Sequence, residues 1–90
     1  MNQLSLRGTV PNLDALNNAE LDLIDLATMG QRPGRANKLP NKVARAINEY
    51  VCDLKIARCA RIVGDIGTAR YFESKCAAIY SNVLPTRYRW

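Results

Sequence analysis

Ninety residues, 48% of them apolar and 23% charged, make one domain of globular rather than disordered composition, with a modest core. The chain has no histidine, which excludes Ser-His-Asp and Cys-His nucleophilic systems and the usual proton shuttle at neutral pH. Its net charge is +5, unevenly placed: up to residue 28 one arginine faces four acids, and from residue 29 onward twelve basic groups face four acids. Such asymmetry points to an anionic partner, or to an acidic segment folded back on a basic one.

The start, MNQLSLRGTVP, alternates Leu4 and Leu6 with polar residues before Gly8 and Pro11. It reads as an extended arm over 1–11, or an edge strand that would need its partner from another molecule. Asn12 is placed to cap a short helical turn at 12–16. A first helix is predicted at about 18–29, LNNAELDLIDLATMG. Asn17 as N-cap and Glu20 three positions on make a capping box, flanked by Leu16 and Leu21 as a hydrophobic staple. Acids in its first two turns suit the helix dipole, and Gly30 can close its C-terminus.

The segment GQRPGRANKLPNK follows as a basic loop over 30–40. Pro33-Gly34 marks a turn, and Pro40 suits the first turn of the next helix. Arg32, Arg35, Lys38, Lys42 and Arg45 run here without an acid until Glu49. Lys38, Lys42 and Arg45 stand at the positive end of the second helix, where basic side chains oppose the dipole by about 0.3–1 kcal/mol each. An anion would relieve this: Asp22 and Asp25 of the first helix, an acidic partner, or a phosphate bound at the helix N-terminus.

The second helix is predicted at about 40–63. Val43, Ala44, Ala46, Ile47, Tyr50, Val51, Leu54 and Ala57 share one face, with Lys42, Arg45, Asn48, Glu49 and Asp53 opposite. Near residue 55 the pattern inverts. Arg58 and Arg61 continue the formerly apolar stripe, while Cys52, Ile56, Cys59, Ala60 and Val63 build a second one. Two arrangements of an intact helix satisfy this, and a helix broken at the inversion is a third. In one, the front half packs on one neighbouring helix and the back half on the other, with the arginines at a wet edge. In the other, one stripe meets another chain and Arg58 and Arg61 reach an anion across it.

Gly64 ends that helix, and Asp65 caps a third at about 66–84. Its apolar stripe runs through Ile66, Ala69, Phe72, Cys76, Ile79, Tyr80 and Val83, and Pro85 stops it. The short link between helices two and three makes them antiparallel neighbours. The segment GDIGTARYF resembles the middle of a tetratricopeptide hairpin, with small residues Ala69 and Cys76 at the expected offsets from Gly64. The resemblance spans about one repeat. Glu73 stands where that family carries an aromatic, the proline comes a turn late, and the preceding helix is too long. What it implies is hairpin geometry, not membership. The tail over 85–90 closes with Arg87, Tyr88, Arg89 and Trp90. These can stack on bases, anchor a partner protein, or fold back so that Trp90 covers the chain's own core.

Three cysteines cannot pair completely within one chain. Free thiols in a reducing, cytoplasmic setting are expected rather than a secreted protein. Cys52 and Cys59 stand ~10 Å apart along a helix, too far to share a zinc or a disulfide, so core packing is expected of all three. No nucleotide-binding glycine loop is present, and no apolar run approaches a membrane span. The expectation is an all-α domain of three helices with no enzymatic activity, cofactor, metal or small-molecule substrate. Its function would be protein–protein interaction, with a foreign partner or by self-association, as a small subunit or accessory factor of phage or mobile-element type. The alternative is sequence-independent nucleic-acid binding by the basic loop and tail.

Overall fold

The structure, a computed structural model, describes residues 10–28 and 39–90. The expected arm therefore lies outside the described residues except for Val10 and Pro11, and the basic loop except for Leu39 and Pro40. The domain is all-α, with helices α1 (Asn18–Thr28), α2 (Asn41–Ile62) and α3 (Ile66–Ala78). A short 3-10 turn, Leu13–Ala15, precedes α1. A π-helical turn, Ile79–Val83, and a second 3-10 turn, Thr86–Tyr88, follow α3.

The ends of these elements form as local chemistry dictates. Asn12 Oδ1 accepts from the Asp14 N–H at 3.1 Å. The Asn17 and Glu20 side chains exchange bonds with each other's backbone N–H at 2.8 and 2.9 Å, a closed capping box. At the end of α2 the Gly64 N–H reaches the Arg61 carbonyl, and the Asp65 N–H reaches that of Ala60, at 3.1 and 2.8 Å. This is a Schellman motif, and it requires the left-handed φ of +83° that Gly64 adopts. Asp65 then accepts from the Thr68 N–H and hydroxyl at 3.2 and 2.7 Å and opens α3. These two bonds hold the Asp65 carboxyl below its ordinary value.

Both outer helices run antiparallel to α2. Along α1, Asp25 meets Asn48, Asp22 meets Lys55 and Asn18 meets Arg58. Along α3, Cys76 meets the Tyr50 carbonyl, Lys75 meets Asp53 and Glu73 meets Arg61. The core lies where α1, the first half of α2, the π turn and the tail converge, around Leu13, Leu21, Ile24, Ile47, Val51 and Leu84. Farther along the hairpin only small side chains, Ala57, Ala60 and Ala69, are buried.

The expected third helix thus ends six residues early as an α-helix and widens into a π turn, in which the Leu84 N–H bonds the Ile79 carbonyl at 2.9 Å. Asp53 is a second correction. The sequence pattern puts it on the solvent face, but α3 packs over that flank and only 5% of the residue stays exposed. Its Oδ2 has no hydrogen-bond partner among the described residues, and Lys75 stands 4.0 Å from Oδ1. Burial raises the Asp53 pKa, and Lys75 opposes the rise.

Candidate interaction surface

Four of the five members of the second stripe of α2 have no cover among the described residues; the fifth, Ala60, is buried. Cys52, Ile56, Cys59 and Val63 are all exposed, with Ile56 at 43% and Val63 at 73%. Neither proposed neighbour takes it, because α1 lies along the Asn48–Lys55–Arg58 flank and α3 along the Asp53–Arg61 flank. The back of the helix lies between them. This corrects the expectation that the two halves of α2 divide between the two helices. It also corrects the expectation of core packing for all three cysteines: only Cys76 is buried.

The spacing makes the stripe continuous. Gaps of four, three and four residues, read from the chain, keep its members on one side of a helix, as in a coiled-coil seam. Ile62 at 83% and Ile66 at 43% exposure carry apolar surface around the Gly64 turn. Desolvation and the nearby Asp25 carboxylate raise the Cys52 thiol above its ordinary pKa, so it is a weak nucleophile rather than an activated one.

The arginines expected to reach across this surface are engaged within the chain. Arg58 donates to Asn18 Oδ1 and to the Asp14 carbonyl, both at 3.1 Å, and pins the N-terminal turn to α2. Arg61 grips Glu73 through two bonds of 2.5 and 2.8 Å, a fork that crosses the hairpin. The guanidinium keeps the Glu73 carboxyl below its ordinary value.

At the start of α2, Lys42 and Arg45 are exposed, and neither forms an ion pair among the described residues. Asp22 and Asp25 do not neutralise them: Asp22 pairs with Lys55 and Asp25 with Asn48. Arg32, Arg35 and Lys38 lie outside the described residues.

The tail folds back. Tyr88 is buried in the core. Arg89 donates to the Ser81 and Leu84 carbonyls at 2.7 and 3.0 Å. It thereby satisfies groups freed by the π turn and sets a positive charge at the negative end of a helix. Trp90 meets Tyr50 and Tyr80 edge to face at 5.0 and 4.8 Å. Its indole N–H donates to Asp14 Oδ2 at 3.2 Å, and the Tyr50 hydroxyl donates to Asp14 Oδ1 at 2.6 Å. Burial, then the Asp14 bond, raise the Tyr50 phenol well above its usual range. Arg87 and Arg89 are both exposed, and Arg87 lies over the Tyr88 ring at 5.1 Å. Among the described residues no helix is long and apolar enough to cross a membrane. No family model, no curated protein and no solved structure matches the chain.

Proposed function

We propose that the chain is a non-catalytic protein–protein interaction module that docks through the back of α2. The observation that carries this reading is the uncovered stripe Cys52–Ile56–Cys59–Val63, continued at the hairpin tip by Ile62 and Ile66. Single exposed apolar side chains are ordinary. A continuous strip at seam spacing, on a helix whose other flanks are both occupied, is a surface built for another helix. The strip carries no charge, so a second copy related by a twofold axis buries no like charges on it. Self-association is therefore the first reading, and a role as a small subunit against a foreign chain is the second.

Sedimentation velocity over about 1 μM to 1 mM tests it, comparing the wild type with Ile56→Glu/Val63→Glu. The wild type is expected to exceed monomer mass as concentration rises. The double variant is expected to stay monomeric with unchanged helicity, since both side chains face water in the monomer. Equal behaviour of the two proteins contradicts self-association through this face.

The nucleic-acid reading keeps one supporting observation, the exposed Lys42 and Arg45 at the positive end of α2. It loses much of the tail, because Arg89 and Trp90 are spent on intrachain contacts. Binding to a generic duplex or single strand would have to fall steeply with salt; no binding at low salt ends that reading.

A further inference from the structure

A cleft of about 430 Å³ opens between the tail, the N-terminal turn and the α2–α3 hairpin. Its size falls within the range of small-ligand sites. Its lining runs against the composition of the chain. The protein has thirteen basic and eight acidic residues, yet among the described residues the cleft is lined by two acids, Asp14 and Glu73, and by no lysine or arginine. Tyr50, Tyr80 and Trp90 supply aromatic walls, and the remaining lining is small, apolar or neutral.

The two acids are not equivalent. Glu73 is held by Arg61. The Asp14 carboxylate is held only by neutral donors among the described residues, the Tyr50 hydroxyl and the Trp90 indole N–H. Those bonds fix its orientation without cancelling its charge. Each oxygen keeps a lone pair free to accept another bond. The tyrosines stand at 89° and 70° to the Trp90 ring, so the rings meet edge to face, each contact setting the edge of one ring on a face of the other. Tyr80 and Trp90 are half-buried and keep some access to solvent. Arg89 sits over the Tyr80 ring at 5.8 Å but does not line the cleft.

We infer that this cleft binds a compact organic cation, an alkylammonium or guanidinium group, with Asp14 as counter-charge and the Trp90 and Tyr80 rings as a cation–π wall. A fixed carboxylate with aromatic faces is the combination that attracts such a group. It rejects a neutral molecule of the same shape, which gains neither interaction. The cation is either a free amine or the side chain of a lysine or arginine on a docked protein. The site shares no residue with the α2 stripe, so either assignment can fail without the other.

Trp90 is the chain's one tryptophan, and its fluorescence reads the cleft directly. The full chain is titrated at constant ionic strength with tetramethylammonium, butylammonium, N-acetyl-lysine amide and N-acetyl-arginine amide. 2,2-Dimethylpropanol serves as the neutral counterpart of tetramethylammonium. A saturable change is expected with the cations and a response at least about tenfold weaker with the alcohol. Saturation by the amino-acid amides alone assigns the ligand to a partner's side chain; saturation by the simple ammonium ions as well assigns it to a free amine. Asp14→Asn removes the charge at nearly the same shape but leaves one oxygen to accept from Tyr50 or Trp90 in place of two, and is expected to weaken binding about tenfold or more. Tyr80→Leu removes one ring, together with the hydroxyl bond and ring contact that Tyr80 makes to Trp90, and carries the test if Asp14→Asn fails to fold, provided that the unliganded Trp90 emission matches that of the wild type. The inference is overturned if no cation gives saturation, if the alcohol binds as well, or if folded variants bind like the wild type.

Discussion

Asp53 sits in the interior, with Lys75 at 4.0 Å from one oxygen and the other unpaired among the described residues. Because burial raises its folded pKa, between the unfolded and folded values the native state holds a proton that the unfolded chain has released. The stability this contributes is present in full below the ordinary value of 3.8 and is lost as pH rises through the folded value. Asp65 and Glu73 act in the opposite sense, since their folded pKa values are lowered. Their contributions are present above the ordinary carboxylate range and fade as pH falls through the folded values. The Asp53 term is isolated by subtracting the urea unfolding free energy of Asp53→Asn, which is neutral at every pH, from that of the wild type. The difference is expected to become less favourable to the wild type as pH rises through the acidic range. A difference that stays flat contradicts a raised Asp53. Burial of this residue was not legible from periodicity, because a helical wheel finds an apolar arc but does not show how far a neighbouring helix extends beyond it.

Helix ends carry the clearest local signals. The Asn17–Glu20 box, the Asn12 cap and the Asp65 cap all stand where residue type and spacing put them. Gly64 is the sharpest case, since its left-handed φ is demanded by the turn and an added Cβ would meet nothing within 4 Å. Gly64→Ala is thus expected to cost about 1 kcal/mol from backbone conformation alone, a fall of about 4–8 °C in Tm. An unchanged melting temperature would show that the turn tolerates another conformation. The π turn had no such signal. The apolar spacing continues through Val83, and only the Leu84 bond to Ile79 and the Arg89 bonds to Ser81 and Leu84 reveal the widening. The double stripe of α2 was visible as a pattern, but a pattern says that a face is apolar, not what covers it. Both packed helices chose flanks bounded by polar side chains, Asn48 and Lys55 on one side and Asp53 and Arg61 on the other. The back was left open.

Among the described residues the core gathers at one end, where Leu13, Tyr88 and the hairpin meet, while exposed apolar side chains lie along the back of α2 and at the Gly64 turn, and also at Leu23 and Leu26 of α1, Tyr71 of α3 and Val83. Intrachain contacts absorb most of the charge and aromatic chemistry that looked available for a partner: Arg58, Arg61, Arg89 and Trp90 all serve the fold. What remains outward among the described residues includes the α2 stripe, Tyr71, Lys42, Arg45 and Arg87, with Arg45 and Glu49 continuing the stripe's spacing one heptad before Cys52 and Ile56. The stripe carries its own reporters, because Cys52 and Cys59 lie on it and Cys76 is buried, with burial pushing the Cys76 thiol up to about 12. The deciding measurement is thiol footprinting by a membrane-permeant maleimide, comparing the protein inside the cells that make it with the purified, dilute monomer. If another polypeptide covers the stripe, Cys52 and Cys59 will label much more slowly in the cell than in the monomer, and Cys76 will stay slow in both. Equal labelling of Cys52 and Cys59 in the two settings would mean that nothing sits on the back of α2, and the proposed interface would be wrong.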